Sequence, residues 1–127
     1  LESFGCETFG VGLVEEGVRL REKGGSRSQI LVFGFTGLEA AREMLHQDLT
    51  PVVSDWRQLE DLGNLSETPV SLHLKFNTGM NRLGFTVDDA VELSNFLGSH
   101  RNLKIIGVCT HLMTSEDLAE GSGESRR

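Results

Sequence analysis

Five short apolar runs alternate with four amphipathic stretches along the chain. Thr8 to Leu13 has the pattern of a strand. Val14 to Lys23 follows as a helix, with Val14, Val18 and Leu20 on one stripe and Gly24-Gly25 stopping it. Gln29 to Phe35 is a near-continuous apolar run, as expected of a parallel strand covered on both faces. Thr36-Gly37-Leu38-Glu39 has capping-box spacing and predicts a helix to about His46. Leu49 to Val53 predicts a strand, with Pro51 near its start. Ser54 or Asp55 then caps a helix carrying Trp56, Leu59 and Leu62, ended by Gly63. Pro69 to Asn77 predicts the next strand. Thr86-Val87-Asp88-Asp89 is a second capping box, opening a helix that Gly98 stops. Lys104 to His111 predicts the last strand. The polar, Gly/Ser-rich residues 119–127 read as a disordered tail behind one folded unit, 1–118.

Five strands separated by four helices imply an α/β fold with a parallel sheet and right-handed crossovers. Two architectures satisfy this. An open doubly wound sheet would be complete at this length. A (β/α)8 barrel takes about 250 residues, so the chain would be roughly half of one. One strand favours the barrel. Leu72, Leu74 and Phe76 share one face, while Ser71, His73, Lys75 and Asn77 share the other. In a doubly wound sheet that second face lies under apolar helices, where a lysine is costly. In a barrel it points into the lumen, near the strand's carboxyl end, where active sites sit. An edge strand with one solvated face is the other reading of this pattern.

Composition removes several function classes. Twelve Lys and Arg against 19 Asp and Glu leave a net charge of −7. That argues against nucleic acid or an anionic membrane as partner, since both call for clustered positive charge. No apolar stretch approaches the roughly 18 residues that span a bilayer. Cys6 and Cys109 are too few for a disulfide scaffold, have no metal-site spacing, and suit a reducing cytosol. The chain opens on Leu1 with no secretion signal, which points to processing or to a piece of a longer protein. Both edges of a five-strand piece would be unpaired and apolar, so the isolated chain is expected to aggregate or to pair.

The candidate chemistry gathers after the fourth strand. In Thr78-Gly79-Met80-Asn81-Arg82-Leu83-Gly84-Phe85, two glycines bracket Arg82 ahead of a helix. A guanidinium there is placed to bind an oxyanion or carboxylate, and a surface arginine in a turn is the alternative. Lys75 is expected nearby, and two cations in a lumen call for an anion between or upon them. His111 ends the last strand in phase with Cys109, and a hydrogen-bonded structural histidine is the alternative to a functional one. The chain has no G-x-G-x-x-G, Walker A, H-E-x-x-H or G-x-S-x-G motif.

The segment His73-Leu74-Lys75-Phe76-Asn77-Thr78-Gly79-Met80-Asn81-Arg82-Leu83-Gly84-Phe85 closely resembles the H-L-K-x-D-T-G-M-x-R-L-G signature of alanine racemases. Phe9 to Gly17, Ile30 to Gly34, Leu49 to Ser54 and Ile106 to Leu112 resemble that family's second, third, fourth and sixth strands, so about residues 4–118 are covered. The resemblance implies strands 2–6 of a partial (β/α)8 barrel that binds pyridoxal 5'-phosphate and interconverts L- and D-alanine for the bacterial cell wall. It implies a cytoplasmic homodimer at full length. It gives Arg82 contacts to the cofactor's phenolic oxygen and the substrate carboxylate. It makes Lys75 a candidate for carbamylation, which would turn it into an anionic partner of Arg82. It places His111 in the hydrogen-bond network beneath the cofactor ring. Asn77 stands where many members have Asp, a swap that keeps an acceptor.

Two departures bear on activity. The family's cofactor-linking lysine lies upstream of any lysine here, and its catalytic tyrosine lies in a second domain, while this chain has no Tyr. The chain is therefore expected to be an inactive piece of such a racemase. A racemase for serine or another small amino acid, a pyridoxal-phosphate carrier, and a truncated non-catalytic product are the alternatives.

Overall fold

The computed structural model describes residues 1–65 and 69–112. The tail expected at 119–127 lies outside the described residues. The strands are β1 (Thr8–Leu13), β2 (Gln29–Gly34), β3 (Thr50–Val53), β4 (Val70–Phe76) and β5 (Leu103–Thr110). Between them run α1 (Val14–Glu22), α2 (Gly37–His46), α3 (Trp56–Gly63) and α4 (Ala90–Ser99). All strand pairs are parallel, and the sheet order is β1-β2-β3-β4-β5.

That order decides between the two architectures. A doubly wound sheet reverses direction at a switch point, which puts helices on both faces. Here every crossover moves one strand over in the same sense. Right-handed crossovers then carry all four helices to one side. The result is five strands of a (β/α)8-type barrel wall.

Burial follows this two-sidedness. Ile30, Val32, Val53, Val70, Leu72 and Leu74 are buried in one cluster with Met44 of α2, Leu59 and Leu62 of α3 and Leu93 of α4. The alternate residues face the concave side. There Ser71 is exposed and His73 and Lys75 are half-buried. Val52, in register with His73, is fully buried yet stands outside the helix-side cluster.

The helix starts differ in part from the sequence expectation. Asp55, rather than Ser54, caps α3, its Oδ1 accepting the Gln58 N–H at 2.9 Å. Ser54 serves the same turn differently. Its N–H and hydroxyl both donate to Gln58 Oε1, and Gln58 Nε2 donates to the Phe35 carbonyl at 3.0 Å. Thr36 makes no side-chain cap bond, because the chain enters α2 through the left-handed Gly37 at φ 79°. Asp89 Oδ2 does accept from the Thr86 N–H and hydroxyl at 2.6 and 2.8 Å. That box closes a 3-10 turn, Val87–Asp89, and α4 begins only at Ala90. At α1 a feature unread in the sequence appears: Glu16 Oε2 reaches back to accept the Gly12 and Leu13 N–H groups.

The β4–β5 ladder carries a bulge. Leu72 pairs with Ile105, but His73 pairs with Gly107, so Ile106 is surplus. Beyond it, Cys109 stands opposite Lys75. A Cβ on Gly107 would overlap the His73 ring, so a larger residue there would have to displace that side chain.

The amino-terminal ends of the strands are tied by two ionic side chains. Arg21 donates through Nε to Gln47 O, through one terminal nitrogen to Ser26 O and Ser28 O, and through the other to Asp48 O, at 2.6 to 3.1 Å. Glu2 Oε1 accepts the hydroxyls of Ser26 and Ser28 and the N–H groups of Arg27 and Ser28. Among the described residues no helix is long and apolar enough to cross a membrane.

The Glu2 contacts give a pH dependence. The Ser26 and Ser28 hydroxyls, with the backbone N–H groups, lower its carboxyl from 4.5 to about 2. A group depressed in the folded state contributes stability that is complete above its unfolded value and fades as pH falls toward the folded one. The urea midpoint should therefore drop between pH 4.5 and about 2. Glu2→Gln should flatten the curve in that window, as read by circular dichroism.

Candidate functional site

Residues 77–85 leave the carboxyl end of β4 and return to it. The Asn77 N–H donates to the Phe85 carbonyl at 2.8 Å, and the Phe85 N–H donates to the Lys75 carbonyl at 2.9 Å. Phe85 is buried, with Trp56 edge-on at 5.3 Å and Phe76 at 6.3 Å between ring centroids. Inside the loop, Asn77 Oδ1 accepts the N–H groups of Gly79 and Asn81 at 3.1 and 2.9 Å. Its Nδ2 donates to Asn81 Oδ1 at 3.1 Å. Gly84 has φ 122°, and a Cβ there would lie 2.7 Å from backbone atoms of Phe76 and Asn77. Only glycine allows that approach. The loop is thus fixed at its base, and Arg82 is carried on its exposed part.

Lys75, Arg82 and His111 all line one cleft at this end, together with Asn77 and Met80. The structure therefore brings the three residues singled out in the sequence to one place. The cleft holds about 10 Å³, so it is a meeting of side chains with space for no more than a water. Arg82 and His111 are exposed, and Lys75 is half-buried. A larger groove of about 1090 Å³ runs between α1 and α2 and shares only Leu83 with the cleft. Its lining holds none of the three residues singled out in the sequence.

The surroundings of Lys75 are mixed. Its Nζ sits 5.7 Å from the centre of the Phe33 ring, which reaches across from β2. Its strand neighbour Cys109 is half-buried. Burial pushes that thiol up, and the Lys75 charge pulls it partly back. Burial also lowers the His73 imidazole, which favours the neutral ring. The Thr110 hydroxyl donates to the Phe76 carbonyl at 2.8 Å, so the 2.7 Å contact between Thr78 and Thr110 is a donation from Thr78. This pair ties the loop to β5. Among the described residues no three His, Cys, Asp or Glu gather as metal ligands.

Sequence reasoning missed Phe33, the Thr78–Thr110 tie and Gly107. Period-two alternation carried back from Val32 would have placed Phe33 on the concave face. Nothing in the sequence marks the other two, because both depend on the pairing of β4 with β5.

A family model described as the alanine racemase N-terminal domain matches residues 1–126. An amino-acid racemase of Enterococcus faecalis is 37% identical over 120 residues, which is 94% of this chain and 16% of that protein. The alanine racemase of Listeria monocytogenes is 38% identical over 117 residues, 90% of this chain and 31% of its own length. Among solved structures, the alanine racemase from E. faecalis superposes with a TM-score of 0.80 at 29% identity, covering 93% of this chain and 33% of that one. The alanine racemase from Streptomyces coelicolor gives 0.83 at 20% identity, a likeness of fold, over 95% and 34% of the two chains. The chain spans about a third of the length of these alanine racemases and 16% of the E. faecalis amino-acid racemase.

The Asn77 contacts predict an asymmetry. Asn77→Asp keeps the acceptor for both N–H groups, and the Asn81 amide can turn over to donate to it. Asn77→Leu strips both N–H groups of their partner, at a cost of about 1–3 kcal/mol. Urea unfolding should place the Asp variant near the parent and the Leu variant clearly below it.

Proposed function

The chain belongs to the alanine racemase N-terminal domain family, and we propose that it supplies one wall of a site that interconverts L- and D-alanine with pyridoxal 5'-phosphate. The observation that carries this reading is the convergence of Lys75, Arg82 and His111 at the carboxyl ends of β4 and β5.

The donor set fits one edge of the cofactor. Arg82 offers a fork of N–H groups suited to a phenolic oxygen or a carboxylate. His111 offers an imidazole within the same cleft. A covalent link calls for a lysine at this end, and the chain has three: Lys23 ends α1, Lys104 lies near the start of β5, and Lys75 faces Phe33 and Cys109. The linking lysine is therefore assigned to a part of the enzyme beyond these residues. When bound, the cofactor supplies the electron sink that lets a proton leave the alanine α-carbon.

The residues of this chain bind and orient. Arg82 holds the substrate carboxylate, which fixes the Cα–H bond relative to the groups that remove and return its proton. The glycine-bracketed loop keeps the guanidinium in place between substrates. Lys75, as a carbamate, pairs with Arg82 and removes the repulsion between two neighbouring cations. His111 would add an imidazole to the hydrogen bonds that hold the cofactor. The proton-transferring tyrosine expected of the family comes from elsewhere, since this chain has none. The full enzyme is read as a cytoplasmic homodimer that provides D-alanine for cell-wall synthesis, in keeping with the bacterial alanine racemases among its relatives. A racemase for another small amino acid is the second reading, favoured by the E. faecalis amino-acid racemase at 37% identity.

The test is reconstitution. This chain, co-expressed with a companion carrying the remaining strands and the second domain, should racemise alanine, while the chain alone should show neither turnover nor a borohydride-trapped adduct. Arg82→Ala in the assembled enzyme should cut kcat/KM by about 10²-fold or more, the scale of a lost transition-state contact. Arg82→Lys should not restore it, because an ammonium lacks the fork. Unchanged turnover in Arg82→Ala would remove Arg82 from the site.

A further inference from the structure

We propose that Phe33 is the positioning residue for Lys75: its ring face holds the lysine ammonium on the concave side of the sheet and opposes the carbamate. The second half of this inference rests on the carbamate reading given above.

The contact is built rather than incidental. Phe33 and Lys75 sit on strands separated by β3, so their backbones are about 9–10 Å apart. Both side chains must reach over β3 to meet, and they do, with Nζ 5.7 Å from the ring centroid. The ring also leans over the neighbouring strand: a Cβ on Gly10 would come to 3.0 Å from Phe33 Cε2. The absence of a side chain at Gly10 leaves room for the ring. Beneath the reach lies Val52, fully buried. The space at Gly10 and the floor at Val52 thus accommodate the ring, which is 38% exposed and faces the lysine across the concave side.

The charge argument follows from the ring's quadrupole. An aromatic face attracts a cation within about 6 Å and repels an anion. Carbamate formation reverses the charge at this spot. The ammonium first gives a proton to water; the neutral amine's lone pair then bonds to the carbon of CO2, one C=O electron pair moves onto oxygen, and the nitrogen gives a second proton to water. Nothing is oxidised or reduced. The group goes from one positive charge to one negative, so Phe33 disfavours it while Arg82 in the shared cleft favours it. The opposition between these two residues sets how far Lys75 reacts at a given CO2 level.

The experiment uses the whole chain equilibrated with 13C-bicarbonate and read by 13C NMR, with Lys75→Arg to identify the carbamate signal. Phe33→Leu should raise the carbamate occupancy about three-fold at sub-saturating bicarbonate, the scale of one partly exposed cation–π contact. Phe33→Trp, which keeps an aromatic face, should stay at or below the parent level. Equal occupancy in Phe33→Leu and the parent overturns the proposal and leaves the carbamate reading standing. If no variant shows a Lys75 carbamate at saturating bicarbonate, the carbamate reading falls instead. The positioning role is then decided by the ε-methylene protons of Lys75. Upfield ring-current shifts in the parent and Phe33→Trp, lost in Phe33→Leu, support it. Shifts unaffected by Phe33→Leu overturn it.

Discussion

A parallel sheet whose strands follow one another in chain order can bury only one of its faces beneath its own helices. Each right-handed crossover lands on the same side, and the apolar residues of β2, β3 and β4 are drawn there. Ile30, Val32, Leu72 and Leu74 form a continuous layer under α2, α3 and α4. Their alternates are released from the need to be apolar. Lys75 on the helix side would sit in the apolar layer, where an unpaired ammonium is costly. On the concave side it is half-buried, with an aromatic face and a thiol beside it. The placement of Lys75 is thus a consequence of where the hydrophobic layer has to be.

The two ends of the sheet divide the remaining tasks. At the amino-terminal ends, Arg21 and Glu2 satisfy backbone groups of successive turns and hold the crossovers in place. At the carboxyl ends, the loop around Arg82 is fixed by backbone donors to Asn77 and by the burial of Phe85 among aromatic rings. This separation of stabilising and reactive ends is usual for barrels of parallel strands. It lets an exposed arginine ride on a loop whose base is fixed by groups other than its own side chain.

Much of this was readable from spacing. The βα alternation, the polar face of β4 and the glycine-bracketed Arg82 are local patterns, and each appears in the structure at nearly the expected residues. The choice between an open sheet and a barrel wall needed strand order, which no single segment encodes. The box at Thr36 was misleading because a left-handed Gly37 supplies the entry to α2 by backbone geometry alone. Phe33 is not marked by the sequence because the run Ile30–Phe35 has no polar residue to reveal its alternation. The contact that gives Phe33 its role spans two inter-strand spacings, a distance invisible along the chain.

The surplus residue Ile106 carries a further consequence for how β5 is compared among relatives. Counted in twos from Leu103, residues 105, 107 and 109 would all lie on the helix side; after the bulge, Gly107 and Cys109 lie on the other. One residue inverts the parity of everything downstream. If Ile106 were absent and the ladder ran straight, the residue beside Lys75 would be whichever one had slipped into that frame. In a sequence comparison, a gap at this point is therefore not a neutral length change. It exchanges the set of side chains presented to the reactive face for the set meant for the hydrophobic layer, and conserved letters on either side of it would no longer mean conserved neighbours.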